Sequence, residues 1–463
     1  MLAELRGLNE ECGVFGVWSH PNAAQIGYYA LHSLQHRGQE GAGIVVTNGE
    51  SLQVRKDLGL VTEVFTAKCM EKLQGTGAIG HVRYSVGGVN GYENVQPLLF
   101  RSQTGGLAIA HNGNLTNSLE LREMLEKEGS IFQTDSDAEI LAHLIKRGGN
   151  ASLRERIRGG LAQLEGAYAF VLLTETELYV ALDPHGLRPL ALGKLGDSWV
   201  VASETCAFDL IGACYEREVL PGELLVIDGT GLQTESFHDG ASRALCAMEY
   251  VYFSRPDSNL SGKNVHTARK KLGKALAHEH PIEADVVTGV PDSSLSAAIG
   301  YAEASGLPYE LGLIKSRYVG RTFIEPSQSL REQGVKLKLS AVRGVIEGKR
   351  VIMVDDSFVR GTTSMRITKM LKEAGATEVH VLIASPPIRY PCYYGMDTLS
   401  TDELVAANYD LEEMREMIGA DSLRFLSVEK LQAVLGSPNH ESNCGLCLAC
   451  FTGNYPTEEG GNV

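Results

Sequence analysis

The stretch Arg350-Val-Ile-Met-Val-Asp355 constrains this chain most. An apolar run ends in two acids, Asp355 and Asp356, then passes through Ser357-Phe-Val-Arg-Gly-Thr-Thr-Ser364 into a segment with apolar Ile367, Met370, Leu371 and Ala374. That pattern predicts strand, loop and helix in succession. Two further β-like runs, Asp285-Val-Val-Thr-Gly-Val290 and Glu378-Val-His-Val-Leu-Ile-Ala384, alternate with helical stretches beyond Glu283. Alternation of this kind predicts an α/β unit built on a parallel sheet.

The N-terminal half reads differently. Short β-rich runs such as Gly13-Val-Phe-Gly-Val17, Gly43-Ile-Val-Val-Thr47, Leu107-Ala-Ile-Ala110, Ala167-Tyr-Ala-Phe-Val-Leu-Leu173 and Trp199-Val-Val-Ala202 are separated by glycine-containing turns, which reads as α+β. One helix stands out at Ser136-Asp-Ala-Glu-Ile-Leu-Ala-His-Leu-Ile145, with a capping residue at its start and Ile140, Leu141, Leu144 and Ile145 on one face. The 463 residues exceed what one core supports, since cores stop growing near about 250–300 residues. The polar stretch 229–242 marks the division, giving a first domain over 12–240 and a second over 241–463.

Composition excludes several classes. Hydrophobic residues at 43% and charged residues at 21% describe a globular chain, and the 51 glycines follow no collagen period. A net charge of −15 argues against nucleic acid as a partner, so an anionic substrate needs a local basic patch. No run approaches the roughly 18–20 apolar residues of a membrane span. The start, Met1 to Glu11, carries acids where a signal peptide is basic, and nine cysteines, an odd number, fit a reducing cytoplasm.

Cys12, in Glu11-Cys-Gly-Val-Phe-Gly16, is by residue type alone a buried structural cysteine. Removal of residues 1–11 would change that, because the freed α-amine, of pKa about 7.7–8.0, can act as base for its own thiol. Downstream, a turn-like His111-Asn-Gly-Asn114 offers the Asn112 amide and the Gly113 N–H to an oxyanion. Arg83 in Gly80-His-Val-Arg-Tyr-Ser85 can clamp a carboxylate, and Asp137 an α-ammonium; the plainer alternative for both is a surface or helix-cap charge.

These motifs, with Leu34-Gln-His-Arg-Gly-Gln-Glu-Gly-Ala-Gly43, resemble the N-terminal-nucleophile glutamine amidotransferase family. The resemblance implies an αββα sandwich and hydrolysis of glutamine through a thioester on Cys12. It also implies Asn112 and Gly113 as oxyanion hole and Arg83 and Asp137 as ligands of the glutamine backbone groups.

Around the Asp355-Asp356 pair, backbone N–H groups at the helix start and the hydroxyls of Thr362, Thr363 and Ser364 can hold a phosphate, while the two acids can take ribose hydroxyls. It is no Walker loop, since no Gly-Lys-Ser/Thr follows. From Gly312 to Arg350, the basic residues Lys315, Arg317, Arg321, Arg331, Lys336, Lys338, Arg343, Lys349 and Arg350 outnumber Glu325, Glu332 and Glu347. Gly320 and Gly334 would let part of this patch close as a lid. The stretch resembles the phosphoribosyl pyrophosphate signature of type I phosphoribosyltransferases. The resemblance implies that Ser357, Arg360, Gly361, Lys315 and Arg331 join the site, and that Ser293 lies beside the acids near Mg²⁺. Phe358 departs from the aliphatic residue expected there, which bears on packing.

Cys444-Gly-Leu-Cys447-Leu-Ala-Cys450 has spacing suited to zinc or an iron–sulfur cluster, and a metal-free buried set is the third reading. The two halves in this order resemble the amidophosphoribosyltransferases, in the subgroup with a cleaved leader and a [4Fe–4S] cluster. On that resemblance Cys246, Cys392, Cys447 and Cys450 are the ligands and Cys69, Cys206, Cys214 and Cys444 are bystanders. It further implies transfer of ammonia from glutamine to C1 of phosphoribosyl pyrophosphate, purine nucleotide feedback inhibitors and a homotetramer. Two rivals are a transferase that aminates another sugar phosphate, against which the Asp355-Asp356 loop speaks, and a regulatory module that binds phosphoribosyl pyrophosphate without turnover.

Overall fold

The computed structural model describes residues 12–84, 91–103, 105–238, 240, 242–315, 339–396, 398, 400–436 and 445–457. In the N-terminal half, a seven-stranded and a six-stranded antiparallel sheet lie face to face. Strand β1 (Gly13–Trp18) runs in the middle of the first sheet, between β2 (Gly77–Arg83) and β5 (Ser198–Ala202), with Val14 opposite His81 and Phe15 opposite Ala202. In the second sheet β3 (Gly105–Leu115) pairs with β4 (Gly166–Leu173).

Alternation decides the layers. Val14, Ile79, Val171 and Val201 point between the sheets, while Phe15 and Val17 point outward against Leu31 of α1 (Ala23–Ser33). On the far side α2 (Ala138–Arg147) lays Ile140, Leu141, Leu144 and Ile145 over Tyr168 and Phe170 of β4. The result is the expected αββα sandwich. Full burial of each such side chain is worth about 1.5–3 kcal/mol, so position in the central sheet anchors Cys12 at the edge of β1.

Two local expectations are corrected. His111 to Asn114 form no turn: they are the last part of β3, paired with Phe170, Ala169, Tyr168 and Ala167. The glycine that suggested a turn adopts φ +142° inside the strand, where a Cβ would lie 2.0 Å from the Ala167 carbonyl oxygen. Likewise, α2 starts one residue later than the capping pattern predicts, with Asp137 at the N-cap position and its carboxylate engaged elsewhere.

The C-terminal half holds a four-stranded parallel sheet in the order β6 (Val286–Gly289), β7 (Arg350–Asp355), β8 (Glu378–Ile383), β9 (Ser422–Phe425). Helix α4 (Leu295–Ser305) follows β6, and α5 (Thr362–Glu373) follows β7, while α3 (Val265–Glu279) packs on α4. Phe358 is buried and meets the Phe425 ring edge-on at 5.7 Å, which accommodates the aromatic side chain. Among the described residues, no helix is long and apolar enough to cross a membrane.

Candidate active sites and a buried thiol group

Cys12 is half-buried at the start of β1, with its thiol against the Tyr84 backbone. Its carbonyl oxygen accepts from Arg37 Nε at 3.0 Å. Across the gap between sheets, His81 Nε2 and the His111 carbonyl oxygen lie 3.0 Å apart. His81 faces Val14 in the sheet register, so this bond brings the residue preceding Asn112 over the start of β1. Because a carbonyl only accepts, His81 carries its proton on Nε2. Burial, and next the Arg83 guanidinium, pushes the His81 imidazole down to about 3, so the ring is neutral.

Asn112 is fully buried, and neither its Nδ2 nor its Oδ1 has a hydrogen-bond partner among the described residues. Unpaired buried amides cost about 1–3 kcal/mol, and such a group marks a place where something else completes the bonds. Gly113 stands beside it, closed in by Ala167 and Tyr168.

Arg83 and Asp137 flank the same region. The Arg83 guanidinium donates to the Asn94 carbonyl, and the Asn94 side chain accepts from the Asp135 N–H at 2.9 Å, two residues before Asp137. Asp137 meets His111 Nδ1 at 3.1 Å and accepts from the Leu115 N–H at 2.9 Å. Burial opposes ionisation of this carboxyl, yet His111 and the backbone donors hold it below the usual range, leaving a carboxylate that can face a cation. His111, stacked on Phe170 at 4.4 Å, was not foreseen in this supporting role. Nothing in residue type distinguishes it from a core histidine.

The second site lies at the carboxyl ends of β6 and β7, where ligands of open parallel sheets bind. A cleft of about 190 Å³ is lined by Tyr252, Val290, Pro291, Ser293 and residues 355–364. Asp355 and Asp356 are buried side by side; burial, and then Asp356, pushes the Asp355 carboxyl up to about 7. Burial also raises Asp356, against hydrogen bonds from Ser293 and Ser357 and the charge of Arg269. Ser293 donates to Asp356, and Ser294 donates to Asp355 at 2.9 Å. Residue type does not separate Ser294 from Ser293; the loop geometry decides which hydroxyl reaches which acid. Ser357 Oγ lies 2.5 Å from Asp356 Oδ1.

Gly361 takes φ +69° at the N-cap of α5, a conformation suited to glycine, and so turns the loop to present the first N–H groups of the helix with Thr362, Thr363 and Ser364. Arg360 pairs with Glu403 at the rim. Lys315 is largely exposed and pairs with Asp292 at 2.8 Å, next to Ser293. Arg331 and the lid glycines 320 and 334 lie outside the described residues.

Cys246 and Cys447 are partners in a short parallel bridge joining Leu245–Cys246 to Leu446–Cys447. Cys392, Cys447 and Cys450 are buried in one apolar cluster, with Cys246 packed against it. Burial pushes the Cys447 thiol up to about 12 and raises that of Cys450 well above the usual thiol range, with Cys392 adding to both. Among the described residues no group of three or more His, Cys, Asp or Glu side chains is arranged to hold a metal ion. In kind, the four cysteines are soft donors suited to a thiolate-bound group, and three separate segments bring them to one apolar core.

The glutamine amidotransferase domain family matches residues 81–209. The chain is 66% identical over 459 residues to an amidophosphoribosyltransferase of Bacillus subtilis, covering 99% of this chain and 96% of that one. It is 52% identical to an amidophosphoribosyltransferase of Staphylococcus aureus, covering 97% and 92%. Among solved structures, glutamine phosphoribosylpyrophosphate amidotransferase from B. subtilis complexed with ADP and GMP matches with a TM-score of 0.93 at 66% identity, over 96% of this chain and 98% of that one.

Proposed function

Because this chain belongs to the amidophosphoribosyltransferase family and makes phosphoribosylamine, glutamate and pyrophosphate in the first step of purine nucleotide synthesis, we propose a division of that reaction between its two sites. The carrying observation is the buried Asn112 amide, without a hydrogen-bond partner among the described residues, next to His111, whose carbonyl meets His81 opposite Val14 of β1. Cys12 is the nucleophile. Once residues 1–11 are removed, its α-amine takes the thiol proton and the sulfur attacks the glutamine side-chain carbonyl. Asn112 Nδ2 and the Gly113 N–H receive the oxyanion, which collapses to a thioester as ammonia leaves. Water then releases glutamate. Asp137 binds the α-ammonium and Arg83 the α-carboxylate of glutamine.

Ammonia attacks C1 of phosphoribosyl pyrophosphate in the second cleft, and the C1–O bond to pyrophosphate breaks. The N–H groups at the start of α5 and the hydroxyls of Thr362, Thr363 and Ser364 hold the 5-phosphate. Asp355 and Asp356 accept the ribose hydroxyls. With Ser293 they would also hold Mg²⁺, for which a buried pair of carboxylates is a fitting oxygen donor set; bound there, the ion supplies positive charge to the departing pyrophosphate. Lys315 adds charge beside Ser293, and Arg331 serves as a further cationic ligand of the pyrophosphate.

Cys246, Cys392, Cys447 and Cys450 would hold a [4Fe–4S] cluster, which contributes folding free energy at the join of three segments. The B. subtilis relative is seen with ADP and GMP, and this chain takes purine nucleotides as inhibitors in a cytoplasmic homotetramer. The test is pyrophosphate release with glutamine and then with free ammonia, alongside intact mass. Active protein should begin at Cys12; full glutamine-dependent activity in a chain retaining residues 1–11 would overturn the self-activated nucleophile.

A further inference from the structure

A buried carboxylate of the C-terminal half grips both sides of the glutaminase site. Glu249, fully buried in the turn Glu249–Phe253, accepts from Arg37 Nη2 at 2.8 Å and from Arg37 Nη1 at 2.9 Å. Arg37 is itself buried, and its Nε donates to the Cys12 carbonyl at 3.0 Å. The same carboxylate lies 3.8 Å from Arg188 Nη1. Arg188 donates through Nη2 to the Tyr394 carbonyl. That loop backs the end of β3: Asn114 Nδ2 donates to the Tyr393 carbonyl at 2.9 Å, and a Cβ on Gly395 would stand 3.7 Å from the Gly113 carbonyl carbon.

We propose that Glu249 is a positioning residue for glutamine hydrolysis, setting the Cys12 backbone through Arg37 and the Gly113 backbone through Arg188 and the Tyr393–Gly395 loop. Burial opposes its ionisation, and Arg37 and then Arg188 keep it charged. Stability alone does not call for such a group, because well-packed apolar residues replace buried ion pairs at little or no loss. A planar fork between two guanidinium groups instead fixes distances, and reacting groups displaced by about 1 Å lose on the order of 10²-fold in rate. Ser254 Oγ donates to Glu249 at 2.7 Å, and Arg269 holds the Tyr250, Tyr252 and Ser254 carbonyls. Tyr252 lines the second cleft, so the same turn touches both sites.

The inference rests on Cys12 as nucleophile and Gly113 as oxyanion donor. Glu249→Gln keeps the shape and removes the charge, placing an amide against the Arg37 fork. In mature protein, kcat for glutamine hydrolysis should fall about 10²-fold, with KM for glutamine within about threefold and ammonia-dependent phosphoribosylamine formation within about twofold. Arg37→Lys, which keeps the charge but cannot hold Glu249 and the Cys12 carbonyl together, should show the same split and serves if Glu249→Gln does not fold. Unchanged glutamine kcat in either folded variant, or parallel loss of both nitrogen sources, would overturn the proposal. Glutamine hydrolysis persisting in Cys12→Ala would identify the nucleophile assignment as the failure, and the proposal would fall with it.

Discussion

The Cys12 thiol lies 3.3 Å from the Tyr84 carbonyl oxygen and 3.4 Å from the Tyr84 backbone nitrogen, so the end of β2 frames the sulfur from both its donor and acceptor sides. Truncation to alanine removes these two sulfur contacts but leaves the backbone pairing of β1 with β2 and β5 untouched. Cys12→Ala should therefore leave the fold intact. Glutamine-dependent phosphoribosylamine formation should disappear while activity with high free ammonia stays within about twofold, as read by product assay with each nitrogen source.

The reverse pattern is expected at the second cleft. Asp355→Asn with Asp356→Asn removes both charged acceptors at the end of β7, where Ser293 and Ser294 now converge. Product formation should fail with either nitrogen source, by about 10²-fold or more, while basal glutamine hydrolysis persists. Loss of hydrolysis alone would contradict this division.

Gly113→Ala probes the strand end. At φ +142° with the Ala167 carbonyl 2.0 Å from the added Cβ, the backbone must shift, and β3 must part from β4 locally. Glutamine kcat should fall about 10²–10³-fold, as for loss of an oxyanion donor, and the melting transition should drop by a strain cost of about 1–3 kcal/mol.

His81 shapes the acid limb of stability. Its imidazole is held near 3 when folded, against about 6.5 when unfolded, so between these values the unfolded chain binds the extra proton. Stability from this group is therefore complete above about 6.5 and is lost as pH falls toward 3. His81→Gln should flatten the slope of unfolding free energy against pH over that window by up to about 1.4 kcal/mol per pH unit, measured by denaturant titration at successive pH values.

For the thiol group, anaerobically prepared protein should contain iron and sulfide rather than stoichiometric zinc. Cys392→Ser should lose the iron and lower the melting temperature, since a bound group stabilises only the folded chain. Iron-free wild-type protein of unchanged stability would contradict the cluster.

Much of this molecule follows from its sequence alone. The apolar run ending in Asp355 and Asp356 became an inner strand of the parallel sheet, followed by a loop and a helix, because local periodicity and chain punctuation suffice to specify a strand, a turn and a helix start. The α2 stripe of Ile140, Leu141, Leu144 and Ile145 reached the core for the same reason. Periodicity did not reveal that His111-Asn-Gly-Asn114 is strand, since the pairing with β4 overrode the turn preference of glycine and asparagine. Nor did it indicate that Arg37 and Glu249, 212 residues apart, would meet in a dry contact, or that Ser294 rather than Ser293 would reach Asp355. Residue types and spacings carry short-range order, whereas the partner of a buried charge is chosen by packing between distant segments, which only the folded chain determines.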